Sequence, residues 1–152
     1  MHFRFGLGVA GIFLLDRLSK WATLTFLPLN TPVDIGLPWL HLTHIHNFGA
    51  AFGVFQHQTW FLIGAGLAML GVFWWMRRDL MATPLSRWGT ACLIAGDLGN
   101  LLDRLVYGAV IDFIQLPHWP VFNVADICID FGIILLLWHF LTQTSQHSAP
   151  ST

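Results

Sequence analysis

The chain has 152 residues, 55% of them hydrophobic and only 10% charged, with a net formal charge of −1. That balance and a positive mean hydropathy exclude an ordinary water-soluble domain, and the charge gives no surface for nucleic acid. The composition is that of one membrane-embedded domain spanning 1–152.

The first apolar segment runs from about Phe3 to Leu27. Its beginning resembles a signal peptide, but no small-residue cleavage site precedes Asp16 and the apolar run resumes beyond Lys20, which predicts a retained helix. The loop from Pro28 to Gln58 follows. In PWLHLTHIHN apolar and polar residues alternate, as in a strand, which puts His44 and His46 on one face and His41 on the other. GAAFGVF suits a segment lying at a membrane interface. Thr59–Met76 is 18 residues without a charge, long enough to span a bilayer. A third helix is expected over about Leu85–Val106, interrupted by Asp97, Asn100, Asp103 and Arg104, and a fourth over about Val124–Leu141. The tail from 143 to 152 is polar and aperiodic, and predicts flexible chain. Trp39, Trp60, Tyr107 and Trp119 fall near segment ends, as an aromatic belt requires.

Lys and Arg set the orientation. Arg4 precedes the first helix and Arg77, Arg78 and Arg87 surround the connection between the second and third, while the other two loops have none. Both termini are therefore expected on the cytoplasmic side and the two longer loops outside. Cys92 and Cys128 lie in apolar segments with no metal-ligand or disulfide pattern. No HExxH is present, so His41, His44 and His46 do not form a recognisable zinc site.

Ionisable groups at membrane depth pair, face a cavity or carry function. Asp16 and Lys20 are four residues apart on one helical face and can neutralise each other. In GDLGNLLDR, Asp97, Asn100 and Arg104 share a face and Asp103 is displaced from it, while Gly96 and Gly99 permit close helix packing. Asp112 and Asp126 are 14 residues apart across a loop with two prolines, so the chain can bring them together. Two adjacent carboxylates share a proton and can act as base and acid on one substrate. The plain alternatives are a solvated loop residue for Asp112 and a dipole-favoured helix-start carboxylate for Asp126.

Taken in order, LDRLSKW, HNFGAAFG, GDLGNLLDR, VIDFI and FNVAD resemble the prolipoprotein signal peptidase family, signal peptidase II, over about Phe5 to Leu141. The resemblance implies an all-α membrane protein of four transmembrane helices with a small external β-sheet and an interfacial helix. It further implies an aspartyl endopeptidase of the bacterial inner membrane, without metal or cofactor, with its site on the external side. Such an enzyme cleaves before the diacylglyceryl-modified cysteine of prolipoproteins and works as a monomer among membrane lipids. Asp112 and Asp126 then match the catalytic pair. Asp16, Lys20, Asn47, Asn100, Asp103, Arg104 and Asn123 match the other polar positions, and Gly49 and Ala50 fall in the N-x-G-x-A-F segment. Asp97 and Asp130 depart from the pattern, and Arg17 and Arg104 are candidate bases to balance them. A small ion- or proton-coupled transporter using the same Asp and Arg residues, or a non-catalytic scaffold, are the competing readings.

Overall fold

A computed structural model describes residues 2–50 and 54–147. The chain runs α1 (His2–Phe26), β1 (Pro32–Leu37), β2 (Leu40–Asn47), α2 (Thr59–Trp75), α3 (Arg77–Leu80), α4 (Pro84–Tyr107), β3 (Val110–Gln115) and α5 (Val124–His147).

Helix α4 is the centre of the molecule, packed against α5, α1 and α2. Its start is specified locally: Thr83 and Ser86 form a reciprocal capping box, and Pro84 takes the first helical position, where no N–H is needed. Its end is closed by Gly108 in the left-handed conformation, with its N–H bonded to the Arg104 carbonyl. The α4–α5 contact depends on missing side chains. A Cβ on Gly96 would lie 2.5 Å from the Ala125 carbonyl oxygen, and one on Gly132 would lie 2.7 Å from that of Gly89. Small residues let helices approach this closely where no hydrophobic effect drives them together.

The three strands form one antiparallel sheet in the order β1-β2-β3, beside the end of the helices where α5 begins. Ile45 pairs with Asp112 across β2 and β3, next to a register shift between Leu42 and Ile45. Phe122 then pairs back onto Ile114, its N–H bonded to the Ile114 carbonyl at 3.1 Å, which returns the chain to β3 just before α5 starts.

The outside of the helices is apolar: Trp60, Trp75, Trp138 and Leu141 are all exposed, whereas Lys20, Asp16, Asp103, Asp112 and Asn123 are buried. An exposed apolar surface around a polar interior suits hydrocarbon surroundings. Val124–Gln143 is long and apolar enough to cross a membrane, and α2 is a shorter apolar helix of 17 residues.

Several sequence expectations change. Helix α5 continues to His147, so the expected tail is helical over 143–147, and 148–152 lie outside the described residues. No interfacial helix appears between β2 and α2 among the described residues: Val54–His57 is a turn, and 51–53 lie outside them. The short helix α3 and the strand character of VIDFIQ had no clear signal.

Candidate active site

Asp112 sits on β3, 2% exposed. One carboxylate oxygen accepts from the side-chain amide of Asn123 at 2.6 Å, the other from that of Asn47 at 2.9 Å. Asn47 is aimed by its own oxygen, which takes the Gly49 N–H at 3.0 Å. Asp126 lies in the first turn of α5 and is placed by a reciprocal cap. The Asn123 side chain accepts the Asp126 N–H at 3.0 Å, and Asp126 Oδ2 accepts the Asn123 N–H at 3.1 Å. Its other oxygen accepts from Asn100 at 2.8 Å. Asn123 also donates to the Asn100 oxygen at 3.2 Å, so one amide links the surroundings of both aspartates.

Beneath this pair lies a compact group of two anions and two cations. Arg17 reaches Asp16 at 2.6 Å and Asp103 at 2.7 Å; Lys20 reaches Asp103 at 2.7 Å and Asp16 at 3.2 Å. The Lys20 ammonium also donates to Asn100 at 2.9 Å, which occupies all three of its protons. Buried charge is tolerable when it is paired and hydrogen-bonded in this way. Each anion has one further task. Asp16 accepts the N–H of Ala125 at 3.0 Å, and Asp103 that of Ile111 at 3.2 Å. These are the residues immediately before Asp126 and Asp112.

Both aspartates line one cavity of about 590 Å³, together with Asn47, Asn100, Arg104 and Asp130. Arg104 also donates to the Gly49 carbonyl at 3.3 Å, tying α4 to the loop that covers the cavity. Burial pushes Asp112 up to about 7, and the Asp126 charge adds to the rise; the bonds from Asn47 and Asn123 oppose it.

The family profile described as Signal peptidase (SPase) II matches residues 9–142. The chain belongs to the signal peptidase II family. Lipoprotein signal peptidase of Syntrophomonas wolfei is 44% identical over 83% of this chain and 85% of its own. That of Moorella thermoacetica is 38% identical over 89% of this chain and 91% of its own. A bacterial membrane enzyme solved by the in meso method at 2.3 Å superposes with a TM-score of 0.90 at 25% identity, covering 98% of this chain and 94% of that one.

Within this signal peptidase II chain, the polar residues singled out in the sequence converge on one end. Asp16, Lys20, Asn100, Asp103 and Asn123 join the network under Asp112 and Asp126, while Asn47, Gly49, Ala50 and Arg104 form the cavity wall. One expectation is corrected. Arg17 does not balance Asp97 or Asp130, because both ends of its guanidinium are engaged by Asp16 and Asp103. Arg104 makes no ion pair within 4 Å among the described residues, but its charge acts on Asp97 from farther off, as expected of a balancing base. Asp97 faces α2, its Oδ1 3.0 Å from where a Gly66 Cβ would stand. Asn100 and Arg104, on one face of α4, line the same cavity, while Asn100 also meets Lys20. Arg17 is the residue that sequence reasoning undervalued; a third charge in the first helix, beside Asp16, was the available signal. The His44 and His46 rings lie 5.1 Å apart on β2, and burial, reinforced by the His44 charge, pushes His46 below its usual value.

Proposed function

We propose that this chain is an aspartyl endopeptidase that removes the signal peptide of diacylglyceryl-modified prolipoproteins, cleaving on the amino side of the lipidated cysteine. One observation carries the reading: Asp112 and Asp126 line one cavity, and each carboxylate is fixed by neighbouring asparagines. The ionised member takes a proton from water, and the water oxygen attacks the scissile carbonyl. The protonated member hydrogen-bonds the carbonyl oxygen as it gains charge. Collapse of the tetrahedral intermediate returns a proton to the departing cysteine amine. The asparagines hold the carboxylates without adding charge, leaving the shared proton to set the chemistry.

Four helices (α1, α2, α4 and α5) span the bacterial inner membrane in this reading. Both termini are cytoplasmic, and the sheet and the dyad are on the external side. The signal helix lies in the bilayer with its cleavage point at the outer boundary, and the substrate's acyl chains remain in hydrocarbon. The transporter alternative is disfavoured because Asp16, Arg17, Lys20 and Asp103 are closed on each other rather than strung out as a relay.

The test uses purified protein in detergent with a diacylglyceryl-modified precursor and its unmodified form. Cleavage of the modified precursor alone is expected, with Asp112→Asn and Asp126→Asn folded but inactive. Substantial cleavage by either variant would remove the dyad assignment.

A further inference from the structure

The mechanism leaves four of the chain's seven basic residues unused: Arg4, Arg77, Arg78 and Arg87. The other three, Arg17, Lys20 and Arg104, belong to the active-site end. The unused four gather at the opposite end of the bundle. Arg4 and Arg87 line a cavity of about 350 Å³ with Phe5 and Trp88, between the starts of α1 and α4. Arg77 and Arg78 line a second one of about 470 Å³, again with Phe5 and with Trp74. Among the described residues none of these arginines has a carboxylate within 4 Å. Arg87 is held by its Nε, which donates to the Thr83 carbonyl at 3.0 Å, leaving its terminal nitrogens for another acceptor. Arg77 donates one terminal nitrogen to the Trp74 carbonyl and stacks 4.7 Å above that ring.

Both cavities share Phe5 with a third, of about 460 Å³, lined almost wholly by apolar groups of α1 and α4 such as Val9, Ala10, Leu98 and Leu102. Guanidiniums in cavities that adjoin an apolar groove through Phe5 complement a molecule with an anionic head and a hydrocarbon tail. A hydrated free anion has no use for the groove, and a neutral lipid has no use for the arginines. Basic pockets between transmembrane helices on the cytoplasmic side bind anionic lipid headgroups.

We infer that this end of the protein is a binding site for an anionic phospholipid of the inner leaflet. Its phosphate lies between Arg4 and Arg87 on one side of Phe5 and Arg77 and Arg78 on the other, and an acyl chain lies in the α1–α4 groove. The inference rests on the membrane-spanning orientation proposed above, and it concerns a site at the other end of the bundle from the dyad.

The test reconstitutes the full chain in phosphatidylcholine vesicles containing brominated phosphatidylglycerol or brominated phosphatidylcholine. Quenching of tryptophan fluorescence, to which Trp74 and Trp88 contribute, gives the relative affinity of the two lipids. Phosphatidylglycerol is expected to be preferred. The double variants Arg4→Gln/Arg87→Gln and Arg77→Gln/Arg78→Gln should each lower the preference, by roughly fivefold per arginine. Ala10→Phe, which fills the groove, should reduce it as well, and millimolar inorganic phosphate should leave it unchanged. Equal quenching by both lipids, a preference that survives both double variants, or displacement of the brominated lipid by inorganic phosphate would overturn the site. Asp112→Asn separates the two proposals, since it should abolish cleavage and keep the lipid preference. Loss of lipid preference with intact cleavage removes only this inference; intact preference in a wild-type chain that cleaves nothing removes only the peptidase reading.

Discussion

At the scale of single residues, Asp112 carries a titration that the fold itself creates. Its value lies near 7 rather than the ordinary 3.8, because burial and the neighbouring Asp126 favour the protonated form. The sign follows: this group's contribution to stability is full below about pH 4 and is lost as pH rises through about 7. Asp112→Asn removes that dependence, so denaturation in detergent at pH 5 and pH 8 should show a smaller difference in the variant than in the wild type. In the proposed mechanism catalysis needs the shared proton. The rate of prolipoprotein cleavage should therefore fall about tenfold per pH unit once pH exceeds roughly 7. A rate that stays level from pH 6 to pH 9 would contradict a proton-sharing pair.

At the scale of elements, the α4–α5 seam decides whether the two halves of the site meet. Gly96 is buried against the Ala125 carbonyl, and Ala125 immediately precedes Asp126. Gly96→Val should destabilise the protein by roughly 1–3 kcal/mol through forced separation of the helices and lower cleavage with it. Gly64→Ala on α2, where an added Cβ meets nothing within 4 Å, should leave cleavage unchanged and hold or slightly raise stability. Thermal unfolding and cleavage rates of the two variants check this contrast. The long helices were legible because apolar runs end at charged or turn-forming stretches, and the meeting of Asp112 and Asp126 in one cavity was legible because only a short loop joins VIDFI to FNVAD. The end of α5 was not: QTSQH has no apolar face, and α5 simply carries its helix onward to His147. Strand β3 was also hard to read, since its first four residues are all buried and show no alternation of burial. Arg17 was named as a base for the wrong partners because Asp103 lies 86 residues away, and local spacing cannot show such a pair.

At the scale of the molecule, polar groups lie inside and apolar ones outside, with the sheet at one end and unpaired arginines at the other. This polarity makes the orientation testable. In a chain with Cys92 and Cys128 replaced by Ala, Thr31→Cys should react with a membrane-impermeant maleimide in intact spheroplasts. Asp79→Cys should react only after permeabilisation, and the reverse pattern would invert the proposed topology. The cluster of Asp16, Arg17, Lys20 and Asp103 also gains a meaning beyond neutralisation. Its two anions, Asp16 on α1 and Asp103 on α4, grip the backbone one residue ahead of Asp126 and of Asp112. Helix α1 contributes neither of those two aspartates, yet its Asp16 holds the backbone before Asp126, and its Arg17 and Lys20 hold the Asp103 that grips the backbone before Asp112. In the proposed mechanism a shift of α1 reaches Asp126 through the Asp16–Ala125 bond and Asp112 only by way of Asp103 on α4, so the spacing of the pair is set partly from a helix that carries neither carboxylate.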